Sequence, residues 1–467
     1  IFLEDIMELK IYNSLSKKKE PIKVYNNKVT YYFCGPTVYW FQHIGNMRAF
    51  FVMDSVRRAV KYLGYEINHV MNITDVGHLT SDADEGADKM DVASKRENKS
   101  PEEIAKFYWD LCFKDMKALN IETPEHICPA TSVIDEIIEF VQKILDNGFG
   151  YITKNGVYFD TSKYLNYGKL GGMNQQDKKF GARISVDDEK RNPADFVLWV
   201  IAKDNHIQKW PSPWGVGYPG WHIECSTIGN KFLGEHISLH GGGVEHKTVH
   251  HENEIAQNFA CTGHEVVDIW FHLEHLMFNG GKMSKSSGGI YTLNNLIEKG
   301  YSPMDLRLFY LSAHYSKPQN FTFEALDNAR DSYSNLKKLI LKHKNGKNKI
   351  DEKVINDYKE KFDKFVADDV NSPLALSVLW DALKNNLDSA DIYNLAIEFD
   401  KFLGLDLDKI EEEKSEIPTE IIEIAEIRKQ ARINKDYLKS DELRDKITSL
   451  GYTILDKPKN EYEIIKK

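Results

Sequence analysis

The pattern that most constrains this chain lies between residues 28 and 73. A β-branched and aromatic run, KVTYYF (28–33), is followed by the turn CGPT (34–37), the segment IGNMRAFFVMDSVRRAVKYL (44–63) and a second extended run, EINHVMNI (66–73). Within 44–63, Met47, Phe51, Val52, Val56, Val60 and Leu63 recur at helical spacing, and Gly64 is placed to cap the helix end. Strand, helix and strand in that order make a βαβ unit, which requires a parallel sheet and sets the strand-to-helix turn at its ligand-binding edge. Residues 21–33 are further expected to form a hairpin, with arms at 22–25 and 28–33 and a turn at Asn26-Asn27.

The parallel-sheet pattern resumes at 236–239, in a helix from about His250, and at 266–271. Between 121 and 215 the chain loosens into Gly- and Pro-rich stretches with short strands such as 156–160, which reads as an insertion. Beyond about 325 the pattern is helical, and the charged stretch 406–416, closed by Pro418, reads as a linker. The chain has 467 residues, 42% of them hydrophobic, enough for several domains and a sizeable core. No run approaches the roughly 18 apolar residues of a membrane helix, and no secretory signal pattern opens the chain, where Met7 is the expected natural start. Five cysteines at irregular spacing suggest no disulfide framework, so a reducing, cytoplasmic setting is expected, with Cys112, Cys128 and Cys261 as buried thiols. A net charge of −10 argues at first against nucleic acid, but KKLILKHKNGKNK (337–349) is locally basic and suits either a solvated helix end or an RNA-facing surface.

Three segments carry chemistry. His43-Ile44-Gly45-Asn46 sits where a turn enters a helix, and helix N-termini offer unpaired N–H groups and positive potential to phosphates. Alone it suits a capping or surface histidine as well. Lys282-Met283-Ser284-Lys285-Ser286, flanked by Gly280-Gly281 and Gly288-Gly289, is a cationic, hydroxyl-rich flap suited to charge developing on a leaving pyrophosphate, or simply a solvated basic loop. In His250-His251-Glu252-Asn253-Glu254, His250 and Glu254 project from one helical face, as two ligands of one metal would or as a surface pair. The second histidine of a metallopeptidase HExxH pattern is absent.

Taken in order, the first two segments resemble the HIGH and KMSKS motifs of class I aminoacyl-tRNA synthetases. CGPTVY (34–39), KRNPADFVLW (190–199), PSPWGVGYPGWHIECS (211–226), HGGG (240–243) and HHENEIAQ (250–257) resemble cysteinyl-tRNA synthetase specifically, over essentially the whole chain. That resemblance implies an α/β fold: a split Rossmann-type parallel-sheet catalytic domain (1–120 and 216–275) with an inserted connective domain (121–215). A KMSKS-bearing stem-contact segment (276–325), an all-α helical bundle that binds tRNA (326–405), a linker (406–418) and a small C-terminal anticodon-binding module (419–467) would follow. It implies one Zn2+ on Cys34, Cys225, His250 and Glu254, and Gly35, Thr74, Trp221 and His240 about the amino acid. Pro36, Thr37, His43, Gly45, Asn46 and Lys285 would bind ATP with Mg2+, and His43, Asn46, Lys282 and Lys285 would act in catalysis. The implied partners are ATP, L-cysteine and tRNA(Cys), acted on by a monomer with no membrane association. The chain departs from the family at Asn46, where HIGH has a second histidine, and at Val244 to Val249 (VEHKTV), where an Asp-Leu and a Phe-Pro pair are usual, so His246 could compete for the metal. The rival readings are the cysteine ligase of mycothiol synthesis, which lacks a full anticodon-binding extension, and a non-catalytic zinc and RNA-binding paralogue. Residues 422–455 resemble the synthetase's C-terminal module. Arg428, Lys429, Arg432 and Lys435 would add a second basic patch for tRNA.

Overall fold

The computed structural model describes residues 7–77, 88–172, 189–278, 281–282, 290–411, 417–458 and 461–466, arranged as two compact units, 1–409 and 410–467. Of the expected catalytic lysines, Lys285 lies outside the described residues, and Lys282 is described only through its backbone.

The first unit opens with an antiparallel pair, β1 (Lys10–Asn13) and β2 (Lys18–Pro21), before β3 (Lys28–Phe33). The expected hairpin is reduced to one bridge, Tyr25 to Lys28, across left-handed Asn26 (φ 50°) and Asn27 (φ 62°). Its first arm is not a strand, because β3 is wanted elsewhere: Val29 to Phe33 are all buried, the mark of a strand covered on both faces at a sheet centre. Helix α1 (Ile44–Tyr62) follows, ended by Gly64 at φ 94°, and leads to β4 (Glu66–Ile73). Two helices, α2 (Lys89–Glu97) and α3 (Pro101–Ala118), precede β5 (His126–Pro129). That strand, inside the 121–215 segment, pairs in parallel with β4.

After α4 (Ile134–Asp146), the strands β6 (Gly150–Ile152), β7 (Gly156–Phe159), β8 (Phe196–Ile201) and β9 (Gly217–Pro219) form an antiparallel sheet in sequence order. Then α5 (Ile223–Leu233), β10 (Ile237–Gly243), α6 (His250–Thr262) and β11 (Val267–Leu273) complete the parallel sheet, whose order is β11-β10-β3-β4-β5. Strand order reverses at β3, which has β4 on one side and the much later β10 on the other. In open parallel sheets that reversal leaves a crevice beyond the strand ends, where ligands bind. The inserted sheet shares one core with this layer: Phe159, Phe196 and Trp199 pack in the cluster that holds Tyr32, Ile223 and Trp270.

A second small sheet, β13-β12-β14, is built from β12 (Leu276–Phe278), β13 (Gly281–Lys282) and, beyond α7 (Leu293–Glu298) and α8 (Pro303–Leu311), β14 (Gln319–Phe321). Four helices end the unit: α9 (Phe323–Lys344), α10 (Glu352–Ala367), α11 (Ser372–Leu383) and α12 (Ala390–Leu403). The second unit holds α13 (Thr419–Ile433), α14 (Tyr437–Ser449) and an antiparallel pair, β15 (Tyr452–Asp456) and β16 (Tyr462–Lys466), around Ile421, Ile424, Ile447 and Ile454. Here Arg428 departs from expectation. It is buried against Asp456 (2.7 Å), which Arg432 also contacts, so it is a structural ion pair rather than part of an open basic patch. Among the described residues no helix is long and apolar enough to cross a membrane.

Candidate active site

The site is assembled where β3 and β10 end side by side. Cys34 follows the last residue of β3, and its N–H donates to the carbonyl of Gly241 on β10 at 3.2 Å. The next residue must be glycine: a Cβ on Gly35 would fall 1.7 Å from the carbonyl oxygen of Asn72 on β4, and the Gly35 N–H donates to Asn72 Oδ1 at 2.7 Å. Pro36 O accepts from the Thr74 N–H at 3.0 Å, which draws the turn over the end of β4.

His43 caps α1 reciprocally with Asn46. The Asn46 N–H donates to His43 Nδ1, and the His43 N–H donates to Asn46 Oδ1, both at 3.2 Å. With Nδ1 and Oδ1 so engaged, the imidazole carries its proton on Nε2, and the Asn46 amide nitrogen keeps both hydrogens. Burial pushes the His43 pKa down, against the opposing pull of Glu245, so the ring is neutral. A Cβ on Gly45 would meet that ring at 2.8 Å. The helix start is anchored twice, by the Ile44 N–H to Tyr291 O (2.8 Å) and by Tyr310 Oη to Ile44 O (2.6 Å). In front of it opens a cleft of about 370 Å³ lined by Cys34, Pro36, Thr37, His43, Asn46 and His246, with Trp40, Phe41 and Glu245 on its walls. Of the residues expected at ATP, Pro36, Thr37, His43 and Asn46 therefore meet in one cavity, with Gly45 beneath them.

Four buried donors converge behind this cleft. One atom each of Cys34, Cys225, His250 and Glu254 lies within 4.8 Å of the others. Cys225 comes from α5, and His250 and Glu254 come one turn apart from the start of α6. A second, overlapping set meets the same limit: Cys34, His240, His251 and Glu254. Hydrogen bonding separates the two. Glu254 Oε2 accepts from His240 Nε2 at 2.9 Å, and His222 Nδ1 meets His250 Nδ1 at 2.9 Å. Those bonds leave Glu254 Oε1 and His250 Nε2 as the inward atoms, 3.0 Å apart, and the carboxylate oxygen has no aligned hydrogen bond. His251 is fixed in the same way, through Nδ1 to His272 Nε2 (2.8 Å) and His272 to Ser14 (2.8 Å), so its Nε2 also faces the cluster, 3.4 Å from Cys34 Sγ; the second set is set apart by His240, whose Nε2 is taken by Glu254. His240 is stacked on Trp270 at 4.4 Å. His246 belongs to neither set, although its ring centre is 5.1 Å from that of His250.

Electrostatics support an anion-rich pocket ready for a cation. Burial opposes the Cys34 thiolate, but the Cys225 hydrogen bond and the His250 charge outweigh it and hold the thiol well below its usual range. Cys225 moves the other way, through burial and the neighbouring Cys34. Glu254 is held down to about 2 despite its burial, by His240 and His250, while His250 is raised to about 10, burial being outweighed by Cys34 and Glu254. Two thiols, an imidazole and a carboxylate make a soft, four-donor set of the kind that holds zinc.

The remaining expected residues lie close by. Thr74 Oγ1 donates to Glu224 Oε1 at 2.5 Å, and the Trp221 ring stands 4.7 Å from that of His250. The spacing of motifs missed four members of the network: His222, Glu224, His251 and His272. Glu224 is fully buried, with a pKa raised to about 8 by that burial, and His222 and Glu224 both lie within the segment WHIEC, where they read only as spacers. Cys112, Cys128 and Cys261 are buried and lie in neither donor set.

Residues 21–331 match the family described as the tRNA synthetases class I (C) catalytic domain. The chain is 41% identical to the cysteine–tRNA ligase of Treponema denticola, over 96% of this chain and 98% of that protein. It is 38% identical to the cysteine–tRNA ligase of Chlorobium chlorochromatii over the same shares. Among solved structures, a methionyl-tRNA synthetase of Mycobacterium tuberculosis bound by methionyl-adenylate superposes with a TM-score of 0.56 at 14% identity, covering 80% of this chain and 89% of that one. That likeness bears on the fold, which is of the class I synthetase type.

Proposed function

We infer that this chain, which belongs to the cysteine–tRNA ligases of the class I tRNA synthetases, is the ligase that joins L-cysteine to tRNA(Cys) at the cost of ATP. Similarity over 96% of the chain leaves the mycothiol ligase and the non-catalytic paralogue without support. The observation that carries the reading is the buried Cys34, Cys225, His250 and Glu254 set beside the His43–Asn46 helix cap.

In the first step the cysteine carboxylate attacks the α-phosphorus of Mg-ATP, giving cysteinyl-adenylate and pyrophosphate. His43 Nε2–H and the Asn46 amide donate to phosphate oxygens at the α1 N-terminus, and Pro36 and Thr37 shape the wall behind them. Lys282 and Lys285 bring positive charge to the departing pyrophosphate. Gly35 and Thr74 bound the amino acid on the β4 side and Trp221 on the α5 side, while His240 orients Glu254. Zn2+ held by Cys34, Cys225, His250 and Glu254 would supply a preference for the cysteine sulfur over a serine hydroxyl, which an apolar pocket discriminates poorly. In the second step a hydroxyl of the terminal tRNA ribose attacks the adenylate carbonyl and AMP leaves.

The chain is taken to act as a monomer, and five buried free thiols suit a reducing cytoplasm. The test is charging of total tRNA with labelled cysteine in the presence of excess serine. Cysteine-specific charging is expected, with loss of bound zinc in Cys34→Ser and Cys225→Ser. Absence of charging by zinc-replete enzyme, or full zinc content in both variants, would overturn the assignment.

A further inference from the structure

A second group of metal-type donors is buried between α2 and the loop that joins β8 to β9. Asp88 is the N-cap of α2 and accepts from the Asp91 N–H at 2.9 Å, so both carboxylates belong to the first turn. The loop delivers His206 to them. Its Nε2 lies 3.5 Å from Asp88 Oδ2, its Nδ1 lies 3.6 Å from Asp91 Oδ2, and its ring stacks on Tyr218 at 4.1 Å.

Asp88 and Asp91 are only 7% and 8% exposed, yet Asp88 Oδ2, Asp91 Oδ1 and His206 Nε2 find no hydrogen-bond partner among the described residues. Burying carboxylates with so little compensation is unfavourable unless a cation supplies it. A direct imidazolium–carboxylate hydrogen bond would close to about 2.8 Å, well short of the separations seen. One donor atom from each of the three residues lies within 4.8 Å of the others.

We propose that Asp88, Asp91 and His206 form a divalent-cation site distinct from the cysteine-containing cluster. Two carboxylate oxygens and one imidazole nitrogen, with no thiol, suit a first-row ion such as Mn2+, Fe2+ or Zn2+ better than Ca2+ or Mg2+. Its place in the fold gives it a task. Two residues beyond His206, Gln208 accepts from the Gly77 N–H at 3.1 Å and donates to Asp75 O at 3.0 Å, just past Thr74 at the end of β4. A cation here holds the inserted loop against the strand end that carries Thr74.

The site is independent of the ligase reading and is tested with Mn2+ alone on the full chain carrying its resident metal. Titration followed by electron paramagnetic resonance should show one Mn2+ bound per chain while elemental analysis finds the resident metal retained. The bound ion should show nitrogen hyperfine coupling from an imidazole. Asp91→Asn and His206→Gln should each weaken Mn2+ binding at least about 10-fold, and His206→Gln should abolish the nitrogen coupling. The proposal falls if Mn2+ does not bind stoichiometrically, if it binds only by displacing the resident metal, if the wild-type protein shows no nitrogen coupling, or if both folded variants bind it as tightly. The wild-type coupling decides the matter should either variant fail to fold.

Discussion

At His43 and Asn46 two side chains close the first turn of α1 upon each other, and the hydrogen bonds that do so leave His43 Nε2–H and the Asn46 amide hydrogens outside the cap. Asparagine thus fills the position of the second HIGH histidine without loss of the cap. Asn46→Asp separates the two duties, since the carboxylate still caps but repels phosphate. Thermal stability should hold, and cysteine-dependent pyrophosphate exchange should fall by about 10²-fold, the scale for loss of one preorganised donor. Unchanged exchange would remove Asn46 from the phosphate site. A second residue-scale expectation concerns His222 and His240, which orient His250 and Glu254 by hydrogen bonds of 2.9 Å each. Alanine at either should lower zinc affinity by about 10- to 100-fold in chelator competition. Cys34, Cys225, His250 and Glu254 were legible only through the resemblance of the motifs they sit in to a known family; spacing alone paired just His250 with Glu254. His222 and Glu224 were not, because adjacency to Cys225 in sequence says nothing of which strand end they meet.

At the scale of elements, α1 is joined to α8 through a buried carboxylate. Asp54 Oδ2 accepts from Arg58 Nε and Arg307 Nη2, both at 2.7 Å, and Arg307 also donates to the carbonyls of Leu403 (2.8 Å) and Leu119 (2.7 Å). Asp54 is fully buried, but the two guanidiniums hold its pKa below the ordinary value. Asp54→Ala would strand two buried cations, and a loss of about 3–5 kcal/mol in urea unfolding is expected. In the C-terminal unit Arg428, Arg432 and Arg444 converge on Asp456 from α13 and α14, with the Arg428 hydrogen bond foremost in lowering its pKa to about 2. Because the folded value lies below the unfolded one, the pairing stabilises the unit above about pH 4 and is lost as pH falls toward 2. Hydrogen exchange of α13 and α14, corrected for intrinsic rates, should accelerate across that window in the wild type and not in Asp456→Asn. The helical spacing of 44–63 foretold α1 closely. No local pattern foretold that β3 would abandon the hairpin, since its partners lie far along the chain.

At the scale of the whole molecule, an acidic chain must find an acidic polymer. The basic stretch 337–349 keeps an electropositive surface in part only, since Lys342 pairs with Asp388 and Lys349 with Asp391, each at 3.0 Å. Exposed pairs of this kind are weak enough for phosphates to displace. Charging should weaken as salt rises, and Lys342→Glu combined with Lys349→Glu should raise the KM for tRNA while sparing pyrophosphate exchange. Truncation after residue 409 should likewise spare exchange and sharply reduce charging; equal charging by the truncated enzyme would make the C-terminal unit dispensable for tRNA. The sequence by itself determined the parallel sheet and its interruption, because both are written in local spacing, while the four-donor set was named through the resemblance of the motifs that hold it. Only the tertiary structure decided that His240 Nε2 is taken by Glu254, that Glu224 meets Thr74 across 150 residues, that Arg428 is spent on Asp456, and that His206 reaches Asp88 and Asp91. Those outcomes depend on which strand ends the sheet order brings together, and that order follows from packing of the whole core.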